Sequence, residues 1–212
     1  AAVAEDSGGL ARPARLALET LIVVAGAEAI ALPMGVALAL LLFRTDAWGR
    51  RPLLVVLALA LFIPLPLHAT AWLGAFGDAG RMQAFGVRPI LVGRFGVIVV
   101  TAMAALPWVV LLSGVGMRLV EPELEESALL DMPASRVLWR VTLRRSLGAI
   151  AAAALAVAVL AAGGSTVTDL LQVRTYAEEA YVQFTLGQGP AGAAGVALPP
   201  LLVLGAGVCF IA

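Results

Sequence analysis

The residues best suited to specific polar contacts are concentrated in one segment of the chain, residues 121–146, EPELEESALLDMPASRVLWRVTLRRS. The segment holds five carboxylates and four arginines, while the stretches on either side of it are almost free of charge. None of these side chains stands beside a histidine or a cysteine, the usual partners in metal binding and nucleophilic catalysis. The pattern therefore indicates recognition of a partner through ion pairs and apolar contacts.

Three further polar residues stand alone. Glu28 lies deep in an apolar run, where a carboxylate is costly and marks a functional site by default; it either faces a translocation path or is neutral and hydrogen-bonded within a bundle. His68 follows a proline-broken run, and is either an interfacial histidine beside Trp72 or part of an outer gate. Asp169 belongs either to a solvated cap or to a contact surface, together with the polar residues that follow it on a predicted amphipathic helix, Tyr176, Glu178, Glu179 and Tyr181.

The composition of the chain indicates the solvent around these residues. Of the 212 residues 61% are hydrophobic and only 13% are charged, against roughly 25% charged residues in an average soluble domain. The mean hydropathy is +0.99, which predicts a membrane protein. The net charge of zero gives no electrostatic footprint for nucleic acid. A single histidine and a single cysteine exclude a self-contained zinc site and a disulfide framework.

Long apolar runs predict membrane-spanning helices, because about 20 apolar residues cross a bilayer core. We expect an all-α membrane protein, a polytopic helical bundle with about five transmembrane helices in a single transmembrane domain. The chain lacks an initiator methionine and stops inside an apolar run, so we also expect it to be part of a longer protein. The predicted spans are Leu18 to Phe43, Leu53 to Phe76, Phe95 to Gly116, Leu147 to Gly163 and Ala191 to Ala212.

The connections between these spans predict an orientation. Residues 44–51 and 117–146 fall on one side of the membrane and hold eight of the fourteen arginines. The positive-inside rule therefore places the charged segment in the cytoplasm and the amino end outside.

The charged segment itself predicts two short helices. Pro122 suits a first helical position, and Glu123, Glu125 and Glu126 in the first turns complement the helix dipole. Leu124, Ala128 and Met132 form a narrow apolar stripe, and Pro133 ends the helix. A second, amphipathic helix begins near Ala134–Ser135. Its Arg136, Arg140 and Arg144 repeat every four residues on one face, toward lipid phosphates or a protein partner. A short acidic helix held below the membrane is shaped to dock in a groove of a soluble protein.

This segment resembles the cytoplasmic "EAA" loop of the permease subunits of binding-protein-dependent ABC importers. That family's pattern is roughly E-A-A, three residues, G, nine residues, I-x-L-P. The spacing is kept from Glu125, but the glycine and proline are lost; starting at Glu126 gives a better E-S-A but puts Thr142 at an apolar position. In the first register the match reads Glu125, Glu126, Ser127, Asp131, Val141, Leu143 and Arg144. Residues 104–131 and 165–184 resemble the iron(III)-type branch.

The resemblance implies a permease of the bacterial inner membrane that is not an enzyme. It binds no cofactor itself, since ATP is hydrolysed by partner ATPases and the chain has no phosphate-binding loop. The implied partners are cytoplasmic ABC ATPase subunits, an external substrate-binding protein and a second permease half, fused or separate. The resemblance to the iron(III)-type branch favours ferric iron as the cargo, but thiamine, polyamine and oxyanion importers share this architecture and the cargo stays open. For a cation cargo, Asp169 lies near its entry or contacts the binding protein. The implied ATPase-coupling residues are Leu124, Glu125, Glu126, Ser127, Ala128, Leu129, Asp131, Arg136 and Arg140.

Two other protein classes are alternatives to this interpretation. An intramembrane enzyme needs paired aspartates, a Ser–His dyad or a metal motif, and the sequence has none of these. A secondary transporter or channel without an ATPase partner fits the composition, but it gives no reason for a docking loop.

Overall fold

The computed structural model describes residues 11–78, 80–86 and 88–185, and this part of the chain is helical throughout. The fifth predicted span, 191–212, lies outside the described residues. The α-helices are α1 (Ala11–Arg44), α2 (Arg50–Ala60), α3 (Leu65–Phe76), α4 (Gly93–Arg118), α5 (Pro122–Asp131), α6 (Ala134–Val137), α7 (Leu143–Arg145), α8 (Leu147–Gly163), α9 (Ser165–Leu170) and α10 (Tyr176–Thr185). A 3-10 helix covers Arg81–Phe85, and a π-helical segment covers Leu138–Thr142 between α6 and α7.

Helices α1, α4 and α8 form the centre of the bundle, and α1 meets the other two along one narrow stripe. The buried positions of α1 recur every three or four residues, as expected for one face of a helix. Small side chains dominate the middle of this stripe, which lets the helices approach closely. The buried residues of the stripe are Leu16, Thr20, Val23, Ala27, Ala31, Gly35, Ala39 and Leu42.

The interior of the bundle is built from alanine and valine. Ala27 and Ala31 of α1 pack with Ala105 and Val109 of α4 and with Val157 of α8 in one buried cluster. Two further clusters extend this core toward the two ends of the bundle. Because these side chains are short, the contacts depend on the close approach of the helix backbones.

Two of the described helices, Ala14–Arg44 and Gly93–Arg118, are long and apolar enough to cross a membrane, and the number is four if two bent helix pairs each form one span. The all-α membrane fold is therefore confirmed. The helices run unbroken through Pro33 and Pro107, whereas the chain bends between α2 and α3 beside Pro64, where the sequence predicted a break.

The second helix of the charged segment is less regular than predicted. It begins at Ala134, as expected, but its α-helical hydrogen bonding is interrupted by the π-helical segment. At Ser146 the chain then bends by 61° into α8. Arginines spaced by four residues in this region therefore do not follow the single straight face that the sequence suggested.

Polar contacts join the helices at both ends of the bundle. At one end, Arg118 at the end of α4 stacks over the ring of Phe43, 4.8 Å from its centroid. At the other end, Arg94 donates to Glu19 at 2.6 Å, and the backbone N–H of Tyr176 donates to the Thr20 hydroxyl at 3.2 Å. The charged segment lies at the first of these ends, where α1 and α4 finish and α8 begins.

Candidate coupling surface

Helix α5 is the central element of the charged segment, and its limits follow from its sequence. Pro122 lies in the first turn, where its missing N–H costs nothing. Glu123 and Glu125 in the same turn face the positive end of the helix dipole. The helix stops at Asp131, and extended backbone at Met132 and Pro133 turns the chain into α6.

One side of α5 is anchored to the bundle. Leu124, Ala128 and Met132 are half-buried along this side, at the positions where the sequence predicted an apolar stripe. Glu125 lies on the same side, and its side chain is only 18% exposed. The anchored side therefore combines an apolar stripe with one carboxylate.

Glu125 holds α5 to two other parts of the chain. Its carboxylate accepts hydrogen bonds from the Arg44 guanidinium at the end of α1 and from the Thr142 hydroxyl at the end of the π-helical segment. Arg44 also donates to the Thr142 hydroxyl at 3.5 Å, so the three side chains form a closed triangle. We call Arg44, Glu125 and Thr142 the clasp. Because all three are partly or fully buried, the bonds are only partly screened by water.

The opposite side of α5 is free. Glu123, Glu126, Ser127 and Leu130 follow one another at helical spacing and are all exposed. Leu130 is 88% exposed, although it is a large apolar side chain in the last turn of a short polar helix. An exposed leucine flanked by carboxylates is typical of a surface that a partner protein covers.

The remaining residues of the predicted coupling set fall into both groups. Leu129 and Asp131 are exposed near the end of α5, and Arg136 and Arg140 are exposed on the helices that follow it. The structure thus brings the predicted loop residues together at one end of the bundle, but it divides them between an anchored side and a free side.

Comparison with known protein families places this geometry in context. The sequence profile of the family described as "Binding-protein-dependent transport system inner membrane component" matches residues 31–211. This match covers most of the chain, including the whole charged segment. The chain belongs to this family. A search of curated proteins found no match to the permease.

Membership in the family establishes the general role of the permease. It is a non-catalytic inner-membrane component of binding-protein-dependent ABC transport, with several membrane-crossing helices. The family also implies ATPase and binding-protein partners in the same transport system. Neither the family nor the structure identifies the cargo.

The three isolated polar residues of the permease lie apart from α5. Glu28 is half-buried in the middle of α1, and no hydrogen-bond partner for it is found among the described residues. His68 is half-buried on α3, and Asp169 is exposed on α9. Within residues 11–78, 80–86 and 88–185, no three His, Cys, Asp or Glu side chains are placed to hold a metal ion.

Asp169 lies near a second group of charged residues on α10. One carboxylate oxygen of Glu178 is buried without a hydrogen-bond partner in the described part of the chain. Burial raises the pKa of Glu178, and the nearby Asp169 raises it further, while Arg174 acts in the opposite direction. Residues 176–185 do form a helix, as the sequence predicted.

Three residues of the permease's candidate surface were missed by sequence reasoning. Arg44 and Thr142 are far from Glu125 in sequence, so that only the fold could join them. Leu130 could have been found, because it lies outside the apolar stripe of α5 and the stripe must face the bundle.

Proposed function

We propose that this chain forms part of the substrate path of an ATP-driven importer and that the free side of α5 docks on a cytoplasmic ATPase subunit. The observation that carries the proposal is the exposed Leu130. It lies between carboxylates on the free side of α5, and the opposite side of this helix is fixed to the bundle. Because α5 is fixed by the clasp, a force applied to its free side is transmitted to α1 and to α7.

The predicted coupling residues take different roles in this proposal. Glu126, Ser127, Leu129 and Asp131 join Leu130 in contacting the ATPase, and Arg136 and Arg140 flank that contact. Leu124, Glu125 and Ala128 instead fix the helix to the bundle.

Capture of the ATPase by the full-length permease in detergent tests the docking surface. We expect Leu130→Arg to weaken ATPase binding by about tenfold or more, because it buries a charge at the centre of the contact. Phe85→Arg is the matched control, since Phe85 is 80% exposed on the 3-10 helix between α3 and α4, and it should leave binding unchanged. Equal binding by wild type and Leu130→Arg, with both folded, would exclude α5 as the docking element.

The proposed orientation places α5 in the cytoplasm and the start of α1 outside. It is supported by the arginine content of residues 44–51 and 117–146. Labelling with a membrane-impermeant maleimide tests it in a Cys209→Ser background. A cysteine at Ser127 should react only from the cytoplasmic side and a cysteine at Asp78 only from outside; the reverse pattern would invert the topology.

We propose ferric iron as the cargo, on the resemblance of residues 104–131 and 165–184 to the iron(III)-type branch. In this proposal Glu28 and His68 line the path or its outer gate, and Asp169 lies near the entry or the binding-protein contact. Uptake by proteoliposomes of the full transporter, with its binding protein, tests the cargo. Iron(III) should be accumulated and phosphate should not; uptake of phosphate in place of iron would overturn the assignment.

A further inference from the structure

The end of the bundle that carries α5 also contains an apolar groove between α1 and the helices that lead into α8. Its volume is about 780 Å³. On the α1 side it extends from Leu32 to Leu40, roughly 12 Å along the helix axis at 1.5 Å per residue. Opposite these residues lie Leu143, Leu147 and Ile150. The groove therefore runs into the membrane from the level of the charged segment.

A second cavity, of about 410 Å³, adjoins the mouth of this groove and has the opposite character. Arg140, Arg144 and Arg145 line it, together with Val141 and with Leu124 of α5. Arg144 lines both spaces, so the apolar groove and the arginine cavity meet at that side chain. A molecule that fills both must be amphiphilic, with an anionic head and an apolar tail.

The charge balance around the arginine cavity favours an anionic ligand from outside the chain. Among the described residues, no carboxylate forms an ion pair with Arg140, Arg144 or Arg145. On the nearest acidic helix, α5, Glu125 forms an ion pair with Arg44, and Glu123 and Glu126 are exposed on the free side. Arg140 and Arg144 thus line this cavity without a carboxylate partner among the described residues, whereas Arg145 also lines a neighbouring cavity together with Glu121. A phosphate accepts hydrogen bonds from a pair of guanidiniums of this kind.

Trp139 indicates where this region lies relative to the lipid. It lines the apolar groove close to Arg144, and it is 70% exposed. Tryptophan is enriched at the level of the lipid headgroups, and cationic side chains near a helix end reach for the same level. The order of arginine cavity, tryptophan and apolar groove matches the order of a phospholipid's headgroup, interface and acyl chain.

We propose that the permease binds an anionic phospholipid here, with its phosphate on Arg140 and Arg144 and an acyl chain in the groove from Leu32 to Leu40. Because Leu124 of α5 also lines the arginine cavity, the bound headgroup contacts the anchored side of the docking helix. The proposal does not depend on the cargo, and it shares only Arg140 with the proposed ATPase contact, since the lipid occupies the side of α5 that faces the bundle.

Photo-crosslinking of the assembled transporter in nanodiscs tests this site. The probes are phosphatidylglycerol and phosphatidylcholine that carry the same diazirine in one acyl chain, and crosslinked peptides are located by mass spectrometry. We expect phosphatidylglycerol to label residues 32–40 and 143–150 at a mole fraction about tenfold lower than phosphatidylcholine needs, because arginines near the membrane surface attract an anionic headgroup.

Variants separate the site from general attraction to anionic lipid. Arg140→Gln/Arg144→Gln should remove the preference for phosphatidylglycerol while crosslinking of both lipids continues. Arg51→Gln/Arg88→Gln is the matched control, because both arginines are exposed and neither forms an ion pair within the described residues. The proposal is overturned by equal labelling with the two lipids, by a preference that survives in Arg140→Gln/Arg144→Gln, or by the absence of crosslinks, which would mean that protein covers the groove.

Discussion

Single side chains decide how firmly α5 is held, and the clasp is the clearest case. Arg44, Glu125 and Thr142 come from three separate helical elements, and each is hydrogen-bonded to the other two. Loss of one member leaves a partly buried polar group without its partner, which costs more than the bond itself contributes. Glu125 is thereby assigned mainly to the bundle rather than to the ATPase.

Replacement of Arg44 tests the energy of the clasp. We expect Arg44→Met to lower the free energy of unfolding by about 1–3 kcal/mol, since the Glu125 carboxylate then lacks its cationic partner. Arg44→Met/Glu125→Leu should recover part of this loss, because no charge is left unpaired. Denaturant unfolding in detergent, followed by circular dichroism, measures both variants.

The control for this experiment is the exposed ion pair at the start of α2. Arg50 and Asp46 are 2.7 Å apart, but the Asp46 side chain is 97% exposed. Arg50→Met should therefore change stability little. If it destabilises the protein as much as Arg44→Met does, the position of the clasp inside the bundle has no special effect.

Glu178 gives a prediction that depends on pH. Burial raises its pKa, so the folded state prefers the neutral carboxyl. The stability that this preference provides is complete at pH values below the pKa of the unfolded state. It is lost as the pH rises through the pKa of the folded state. Glu178→Gln keeps a neutral group at all pH values. We expect it to raise the melting temperature at pH 7 and to have no such effect near pH 4. A gain that is the same at both pH values would show that protonation is not the cause.

Among the helices, α4 and α8 depend on close backbone contact. A Cβ atom added at Gly116 of α4 would overlap the side chain of Ala149 on α8. Small residues of this kind are visible in the sequence, and the predicted all-α bundle is confirmed. The π-helical segment and the bend at Ser146 could not be predicted, because no proline or glycine within residues 137–147 marks either of them.

Substitution of Gly116 tests this contact. We expect Gly116→Ala to lower the free energy of unfolding by about 1–3 kcal/mol, because α4 and α8 must move apart to make room for the methyl group. Gly74→Ala is the opposite case: Gly74 lies inside α3 with nothing within 4 Å of an added Cβ atom. This variant should be neutral or more stable, since alanine favours a helix. Equal destabilisation by the two would argue against a tight α4–α8 contact.

At both ends of the bundle, residues of α1 form ion pairs with other helices. Sequence patterning predicted long apolar helices and a separate charged segment, because apolar length and charge are local properties. It did not pair Glu19 with Arg94 or Arg44 with Glu125, because such pairs join residues more than 70 positions apart. The free side of α5 likewise became visible only after its anchored side was known.

In the proposed orientation the pair of Arg94 and Glu19 lies at the outer end, and it should matter for signalling across the membrane. We expect Arg94→Gln to reduce the stimulation of ATP hydrolysis by the loaded binding protein roughly threefold or more, because an end of α1 is released from α4. Basal hydrolysis should stay unchanged. Arg88→Gln is the control, as Arg88 is exposed in the same connection and has no ion pair among the described residues. An equal loss in both variants would assign the effect to surface charge.

The two ion pairs hold α1 near both of its ends, which determines how it transmits a displacement. Glu19 and Arg44 are 25 positions apart on one continuous helix, about 38 Å at 1.5 Å per residue. A continuous helix that is held at both ends is stiff along its axis. A displacement at the Arg44 end is therefore transmitted to the Glu19 end with little loss, provided that both ion pairs stay intact. Because the length of α1 is fixed, a shift of α5 along the membrane normal requires the Glu19–Arg94 ion pair to shift by a similar distance or to break.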